Sequence, residues 1–330
     1  MAKPTRTTSA DIARAAGVSR ATVSYVLNDR TDQGISEATR SRVLEAVREL
    51  GYVPHAASRA LRAGESRMVL LIQSDAPWST NLTDTEDELT RLVAESGRSL
   101  VVWRRHSPDD LHSTLTNLGP CVVITMTELS PPEVELLATV GVPRVAVFTA
   151  APGGDIVGRV QAEHLMRHGH ERLGYLTTSE QRLQPFAGPR QAGFLEACAE
   201  AGLPAPQVAA LPGGVHLSIA EVKAQLELWQ ADPHPVTAVA CFNDYHAAAL
   251  LVAAMELGIW VPADLAVIGV DDDIFAPLTF PALTTLRLDV RSYARYIWEA
   301  TRHALEGGPV PSPYTLSASV VERATVEERV

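Results

Sequence analysis

The sequence predicts a small all-α head at the N-terminus, followed by a larger α/β body of two lobes with parallel sheets. Three short amphipathic helices can be read before residue 52, and from Met68 onward apolar strand-like runs alternate with helical stretches. The charge divides at the same place: residues 1–67 hold 11 basic and 7 acidic side chains (net +4), whereas the rest of this −11 chain carries −15. This division favours contact between nucleic acid and the head rather than the body.

The head is predicted from its helix-capping residues. Thr8 and Asp11 have the spacing of a capping box that starts a first helix. Gly17 permits a tight turn, and Ser19 is placed to cap a second helix. Ser36 can cap a third helix with apolar residues at helical spacing. Two short helices joined by a glycine-containing turn and supported by a third form the helix-turn-helix layout.

The second helix carries a polar face opposite its valines. That face presents Arg20, Ala21 and Tyr25, which a helix lying in the major groove would turn toward base edges. Arginine can grip a guanine edge with two hydrogen bonds, and the methyl group of Ala21 suits packing on thymine. The alternative is that these residues form an ordinary solvated helix surface.

The head sequence resembles that of a known family. The stretches DIARAAGVSRATVSYVLN and ISEATRSRVLEAVRELGYVPHAASRAL are similar to the DNA-binding head of the lactose-repressor (LacI/GalR) family of bacterial transcription regulators. The resemblance implies that Arg20, Ala21 and Tyr25 read bases of double-stranded operator DNA. Side chains at neighbouring positions are candidate phosphate ligands: Ser19, Thr22, Ser24 and Asn28.

Residues 54–64 correspond to the hinge helix of this family, which folds only on operator DNA. The segment contains HAASRALRAG, rich in small helix formers, and a helix this short is unstable alone in water. The resemblance implies that Leu61 wedges between base pairs in the minor groove, with His55, Ala57 and Ser58 also at the DNA. His55 stands where the family commonly has an asparagine cap. The alternative is a passive linker.

The body is predicted from apolar runs such as MVLLI and LAVIGV that alternate with amphipathic helices. This pattern is typical of parallel sheets covered on both faces, and the number of units requires two lobes. The family resemblance extends here and implies a periplasmic-binding-protein-like body. The predicted boundaries are a DNA-binding domain over 1–64 and an effector-binding and dimerisation domain over 68–330. Lobe 1 spans about 68–170 and 288–312, and lobe 2 about 171–287 and 313–330.

The cleft between the lobes is the expected ligand site, at the carboxyl ends of the strands. Arg190, Asn243 and Asp271 match the family's effector contacts by position, and Asp155 is a fourth candidate. A guanidinium, an amide and a carboxylate suit a small polar or polyhydroxylated ligand, with a carbohydrate among the candidates. The first-lobe loop QSDAPWSTNLTDTED departs from the family's Asn-Pro-aromatic turn. Trp78 in that loop is a candidate either to stack on a sugar or to anchor the loop.

Two clusters of side chains are candidates for an enzyme active site or a metal site. Asp271–Asp273 could bind a metal or act as acid and base, but consecutive residues at a strand end point in different directions. His164 and His168 lie one turn apart with His170 beyond, but the HExxH pattern is absent, as are GxSxG, GxGxxG and Walker A sequences. We therefore expect no enzyme activity, no metal and no cofactor.

The chain start lacks the apolar stretch of a signal peptide, and no apolar run reaches membrane-spanning length, so a cytoplasmic protein without membrane contact is expected. Cys121, Cys198 and Cys241 are predicted to be buried free thiols. The resulting hypothesis is a homodimeric repressor that binds a palindromic operator and is gated by a small-molecule effector. Two alternatives stay open: a dimeric DNA-binding regulator without ligand gating, and a freestanding small-ligand receptor.

Overall fold

The computed structural model describes residues 7–27, 34–52, 66–73, 79–104, 110–126, 129–146, 153–213, 217–312 and 314–329. The chain divides into two compact units, Met1–Ser66 and Arg67–Val330. The first unit has one hydrophobic core of its own, and the second unit has several, arranged around two sheets. Among the described helices, none is long and apolar enough to span a membrane.

The described helices of the N-terminal unit are α1 (Ser9–Ala16), α2 (Arg20–Leu27) and α3 (Glu37–Glu49). The predicted capping residues are confirmed. An Asp11 carboxylate oxygen accepts the backbone N–H of Thr8 at 2.9 Å, and Gly17 ends α1 with a φ of 65°. Ser19 Oγ accepts the backbone N–H of Thr22 at 3.0 Å and so starts α2. These caps satisfy N–H groups that a short helix leaves without partners.

The three helices pack around one small core. Ile12 of α1, Val23 of α2 and Val43 of α3 are each 0% exposed, which shows that every helix turns its apolar stripe to the same centre. Such tertiary packing is needed because α1 and α2 are too short to be stable alone. The packing fixes which face of α2 remains at the surface.

The first lobe of the body contains β1 (Met68–Gln73), α4 (Thr80–Glu95), β2 (Ser99–Arg104), α5 (Leu111–Leu118), β3 (Val122–Thr125), α6 (Pro131–Thr139) and β4 (Arg144–Ala146). The strands form a parallel sheet in the order β2-β1-β3-β4. In the central strand β1, Leu70 and Leu71 point to opposite cores and both are fully buried. Both faces of this sheet are therefore covered, as the continuous apolar run predicts.

The second lobe contains α7 (Gly154–Arg167), β5 (Leu173–Thr178), α8 (Gln184–Glu200), β6 (Gln207–Leu211), α9 (Ile219–Gln230), β7 (Ala238–Cys241), α10 (Asp244–Leu257) and β8 (Ala266–Ile268), with short 3₁₀ turns at Gln181–Leu183 and Ala276–Leu278. Its parallel sheet has the order β6-β5-β7-β8. Tyr175 and Leu176 of β5 enter the cores on opposite faces of this sheet. The two lobes therefore repeat one architecture.

The remaining elements are β9 (Thr285–Leu288), α11 (Val290–Glu306) and β10 (Ala318–Val321). Strands β9 and β10 form an antiparallel ribbon, and Leu286 of β9 lies in a second-lobe core. Helix α11 returns to the first lobe, where Ile297 is buried beside Leu89 of α4. The chain therefore passes between the lobes more than once.

The structure differs from the predicted lobe boundary near residue 170. Helix α7 packs against α8 and β7, and Val157 and Leu165 are fully buried in a second-lobe core. The apolar stripe of α7 thus covers the second sheet, so the first passage between the lobes precedes α7. Helical periodicity identifies a buried face but not which of two similar sheets it covers.

Candidate functional site

The surface face of α2 carries the side chains predicted to read bases. Arg20, Ala21 and Tyr25 are exposed, and Tyr25 reaches 37% exposure. Val23 and Val26 on the opposite side are buried, so the helix cannot rotate without losing its core contacts. The three predicted base-reading residues therefore share one accessible face.

The candidate phosphate ligands flank this face. Ser19 and Thr22 join their hydroxyls at 2.9 Å at the start of α2, and Ser24 is half-buried one turn later. Ser19 thus has a capping role in the structure, which is compatible with a phosphate contact because a helix N-terminus attracts anions. The other predicted DNA contacts lie outside the described residues: Asn28, His55, Ala57, Ser58 and Leu61.

In the body, Arg190 and Asp271 meet as the sequence analysis expects of a shared site. Arg190 lies on α8 and donates to an Asp271 carboxylate oxygen at 3.2 Å and to the Phe242 carbonyl at 2.7 Å. Its guanidinium also lies 5.2 Å from the centre of the Phe242 ring. Arg190 and Asp271 are both 8% exposed, so this is a nearly buried ion pair, whose atoms need such additional partners.

The position of Arg190 depends on two glycines where α7 crosses α8. A Cβ at Gly158 of α7 would lie 1.8 Å from the Arg190 carbonyl oxygen. A Cβ at Gly193 of α8 would lie 1.9 Å from the Asp155 carbonyl oxygen. The two helices therefore approach closely only because both positions lack side chains.

Asn243 and Asp155, the other two predicted ligand contacts, have surroundings different from those of the Arg190–Asp271 pair. Asn243 is the N-cap of α10, and its Oδ1 atom accepts the His246 backbone N–H at 3.0 Å. The same Oδ1 atom lies 2.7 Å from His246 Nδ1, so the amide oxygen already has partners within its own helix. Asp155 is exposed in the first turn of α7. The structure thus brings Arg190 and Asp271 into direct contact and gives Asn243 a local capping role.

Thr80 and Asn81 were missed by the sequence analysis. They are the first two residues of α4 in the first lobe. The Thr80 hydroxyl donates to Asp273 at 2.7 Å, and the Asn81 amide donates to Asp271 at 2.9 Å. A usable signal was the polar run Ser79-Thr80-Asn81, which begins a helix after the first strand of a parallel sheet. Trp78, singled out in the same loop, lies outside the described residues.

The acidic residues near the Arg190–Asp271 pair differ in electrostatic setting. Burial raises the pKa of Asp244 to about 8, and the Asp271 and Asp273 charges add to this effect. Burial likewise raises the pKa of Asp271, although the Arg190 charge and hydrogen bond oppose it. The pKa of Asp272 is lowered: burial opposes the shift, but hydrogen bonds from Arg323 and Arg287 outweigh it. Burial thus favours the neutral form of Asp244, whereas the two arginines favour the ionised form of Asp272.

The histidines weighed as zinc ligands have other surroundings. His164 is 1% exposed and burial lowers its pKa to about 4, while His168 Nδ1 lies 2.8 Å from the His164 carbonyl. His170 Nδ1 contacts the Thr237 hydroxyl at 3.2 Å. Within the described part of the chain, no three His, Cys, Asp or Glu side chains are grouped as metal ligands would be.

The three cysteines predicted to be buried free thiols differ in burial. Cys198 and Cys241 are buried, whereas Cys121 is only half-buried, and none of the three forms a disulfide. Burial raises the pKa of Cys198 to about 11, so its thiol stays protonated at neutral pH.

A helix-turn-helix head that precedes a two-lobed α/β body, with a nearly buried ion pair in the second lobe, defines a class of bacterial transcription regulators. Residues 8–55 match the family "Bacterial regulatory proteins, lacI family", and residues 162–326 match "Periplasmic binding protein-like domain". The chain belongs to the LacI family of DNA-binding transcription regulators.

Curated relatives cover most of the chain. The regulator GalS of Salmonella typhimurium is 33% identical over 316 residues, which cover 90% of this chain and 88% of GalS. The repressor PurR of Photobacterium profundum is 28% identical over 294 residues, covering 84% of this chain and 85% of PurR. Both relatives are transcription regulators with a helix-turn-helix head.

Solved structures share the fold. A lac repressor dimer bound to operator and the anti-inducer ONPF has a TM-score of 0.79 at 23% identity, covering 98% of this chain and 99% of that chain. The regulator CelR in complex with cellobiose has a TM-score of 0.66 at 24% identity, covering 97% of this chain and 100% of that chain. The likeness extends over head and body alike.

Proposed function

We propose that the protein is a cytoplasmic, homodimeric repressor that binds a palindromic operator and is gated by a small polar ligand in the interlobe cleft. The observation that carries the proposal is the exposed face of α2, where Arg20, Ala21 and Tyr25 stand on a helix fixed by its buried valines. We assign residues 1–64 to DNA binding and 68–330 to ligand binding and dimerisation, with the lobe boundary moved ahead of α7.

At the DNA, α2 lies in the major groove. Arg20 donates to a guanine, Ala21 packs on a thymine methyl group, and Tyr25 contacts a further base. Residues flanking this face bind phosphates: Ser19, Thr22, Ser24 and Asn28. The hinge segment inserts Leu61 into the minor groove, with His55, Ala57 and Ser58 beside it.

The homodimer interface that we propose lies on α10 and the segment after β8. Helix α10 has apolar side chains at the surface, with Val252 at 38% and Met255 at 70% exposure. Ile274, Leu278 and Phe280 are 79%, 80% and 97% exposed. The Tyr245 and Phe275 rings, 4.9 Å apart, connect the segment to the helix. Exposed apolar side chains this numerous favour a protein partner, and the lac repressor in the related structure is a dimer.

The ligand site that we propose is centred on Arg190 and Asp271, with Asn243 and Asp155 at its margin. The guanidinium donates and the carboxylate accepts, which suits a ligand with several hydroxyl groups. The related regulator CelR was solved with cellobiose, which supports carbohydrates as candidate ligands in our proposal. A ligand can alter DNA affinity only if it prefers one lobe arrangement.

A second candidate function is a DNA-binding regulator without ligand gating. It is favoured by one observation: Oδ1 of Asp271 already accepts hydrogen bonds from Asn81 and Arg190, so this oxygen has partners without a ligand. A ligand-dependent thermal shift across a panel of sugars and nucleobases would separate the two candidates. A shift that Arg190→Ala abolishes supports gating.

The proposed function is tested by selection from a random DNA pool with the full-length protein. We expect a two-fold symmetric site whose enrichment falls steeply with salt, because phosphate contacts release counterions. Arg20→Ala should relax the preference at one base pair in each half-site, at about 1–3 kcal/mol per contact. Arg14→Ala, at an exposed position of α1, is the matched control. Enrichment of no sequence, or the same sequences after removal of residues 1–64, would contradict the proposal.

A further inference from the structure

Two hydrogen bonds join α4 of the first lobe to the second lobe. The Asn81 amide nitrogen donates to Asp271 Oδ1 at 2.9 Å, and the Thr80 hydroxyl donates to Asp273 Oδ1 at 2.7 Å. Both donors are neutral side chains at the first turn of α4, and both acceptors are nearly buried carboxylates. Hydrogen bonds to charged acceptors of this kind are stronger than those between neutral groups.

The donors are fixed within the first lobe. Ser79 caps α4 by accepting the Leu82 backbone N–H at 3.2 Å, and the Thr85 hydroxyl donates to the Asn81 carbonyl at 2.7 Å. Further along the helix, Leu89 and Val93 are fully buried in the first-lobe core. The first turn of α4 therefore moves with the first lobe.

The acceptors are fixed within the second lobe. The Asp271 backbone N–H donates to the Leu286 carbonyl at 2.9 Å, and the Asp273 backbone N–H donates to Asp244 Oδ2 at 2.8 Å. Arg190, which also binds Asp271, comes from the same lobe. Any widening of the cleft must therefore break the Asn81 and Thr80 bonds, while the ion pair can persist.

We propose that Thr80 and Asn81 form a latch that holds the lobes closed in the ligand-free protein. The proposal rests on the proposed ligand cleft for its regulatory meaning. Asn81 donates to Oδ1 of Asp271, so a ligand hydroxyl that binds this oxygen competes with the latch for one acceptor. Arg190 still compensates the Asp271 charge when the latch opens, which keeps the open state accessible.

The latch has a consequence for ligand affinity. If the closed, latched state dominates, only the unlatched fraction of the protein can bind the ligand. The apparent dissociation constant of the ligand then equals its intrinsic value divided by that fraction. Removal of the latch should therefore tighten the binding of any ligand that uses Asp271. A ligand that binds there should favour an arrangement in which α4 has withdrawn from Asp271.

The test uses hydrogen–deuterium exchange of the full-length, ligand-free protein. The variants are Asn81→Ala, the near-isosteric Thr80→Val, and Asn81→Asp, which sets a second carboxyl group against Asp271. We expect peptides over 79–85 and 270–276 to exchange at least about threefold faster in these variants, since local opening raises exchange. The increase should be largest for Asn81→Asp at neutral pH, because like charges repel.

Thr83→Val is the matched control, because the Thr83 hydroxyl donates only within the lobe, to the Ser79 carbonyl at 3.3 Å. It should leave exchange over 270–276 unchanged. Folding of each variant is checked by far-UV circular dichroism and by unchanged exchange over β1 and β5. Unchanged exchange over 270–276 in folded Asn81→Asp and Thr80→Val would overturn the latch. The readout needs neither DNA nor ligand, so loss of the proposed DNA function would show separately, in the selection experiment.

Discussion

Gly158→Ala should displace Arg190 and destabilise the body, because the added Cβ meets backbone rather than a mobile side chain. It would lie 1.8 Å from the Arg190 carbonyl oxygen and 2.6 Å from the Phe194 backbone nitrogen. Relief to the 3.4 Å of ordinary contact requires α7 and α8 to separate by about 1.6 Å. Overpacking of this kind costs about 1–3 kcal/mol, occasionally more. The 2.7 Å bond from Arg190 to the Phe242 carbonyl depends on the same helix position.

The assay is thermal and urea unfolding of the full-length protein, with Gly188→Ala as the matched control. Gly188 lies on α8 near Arg190, and a Cβ there meets nothing within 4 Å. Alanine favours a helix by about 1 kcal/mol over glycine, but Pro189 crowds a Cβ on the residue before it, so the two effects offset and the control should stay near the wild type. Gly158→Ala should lower the midpoint by about 2–4 °C for each kcal/mol lost. Equal midpoints for the two variants would refute the reasoning about the helix crossing.

Three further predictions concern acid stability, the cleft and the hinge. The pKa of His164 falls from 6.5 to about 4 on folding. Its contribution of about 3 kcal/mol to the free energy of unfolding is therefore present above pH 6.5 and is lost as pH drops toward 4. The pKa of Asp244 shifts in the opposite sense, so the effect of His164 is isolated by comparing the wild type with His164→Leu. A difference in stability between the two proteins that stays constant from pH 7 to 4.5 would contradict this assignment. Arg190→Ala should keep operator affinity near wild type in gel-shift assays while abolishing the ligand response, and a normal response in a folded variant would place the pocket elsewhere. Leu61→Ala should weaken operator binding more than binding to random DNA, whereas equal losses would make residues 54–64 a passive linker.

Local chemistry made much of the fold predictable from the sequence. The Ser19 cap and the left-handed turn at Gly17 depend only on neighbouring residues, and both occur where their sequence spacing predicts. The buried β-strands are also predictable, because a sheet covered on both faces requires continuous apolar runs. Even Arg190 and Asp271, 81 positions apart, could be associated, but only through the family resemblance.

The parts that could not be predicted depend on contacts between distant segments. Asn81 and Asp271 are 190 positions apart, and the sequence around an asparagine at a helix start does not indicate a distant hydrogen-bond partner. Its local capping role is an equally good explanation of the sequence. The lobe to which α7 belongs could not be predicted from the sequence either, because the apolar stripe of α7 could pack on the sheet of either lobe. These contacts require knowledge of how the lobes close.

The acidic triplet 271–273 lies in a turn that its own lobe holds in place. Asp271 and Asp272 have φ values of 109° and 49°, a left-handed backbone that costs free energy in residues other than glycine. Asp272 offsets this cost through ion pairs with Arg287 and Arg323, which hold the turn. The strained turn sends Asp271 toward Arg190 while Asp272 faces away, so consecutive carboxylates have separate tasks. Since Asp271 is held in place by its own lobe, we expect a ligand at the proposed site to act through movement of the first lobe relative to this acceptor rather than through rearrangement of the acceptor itself.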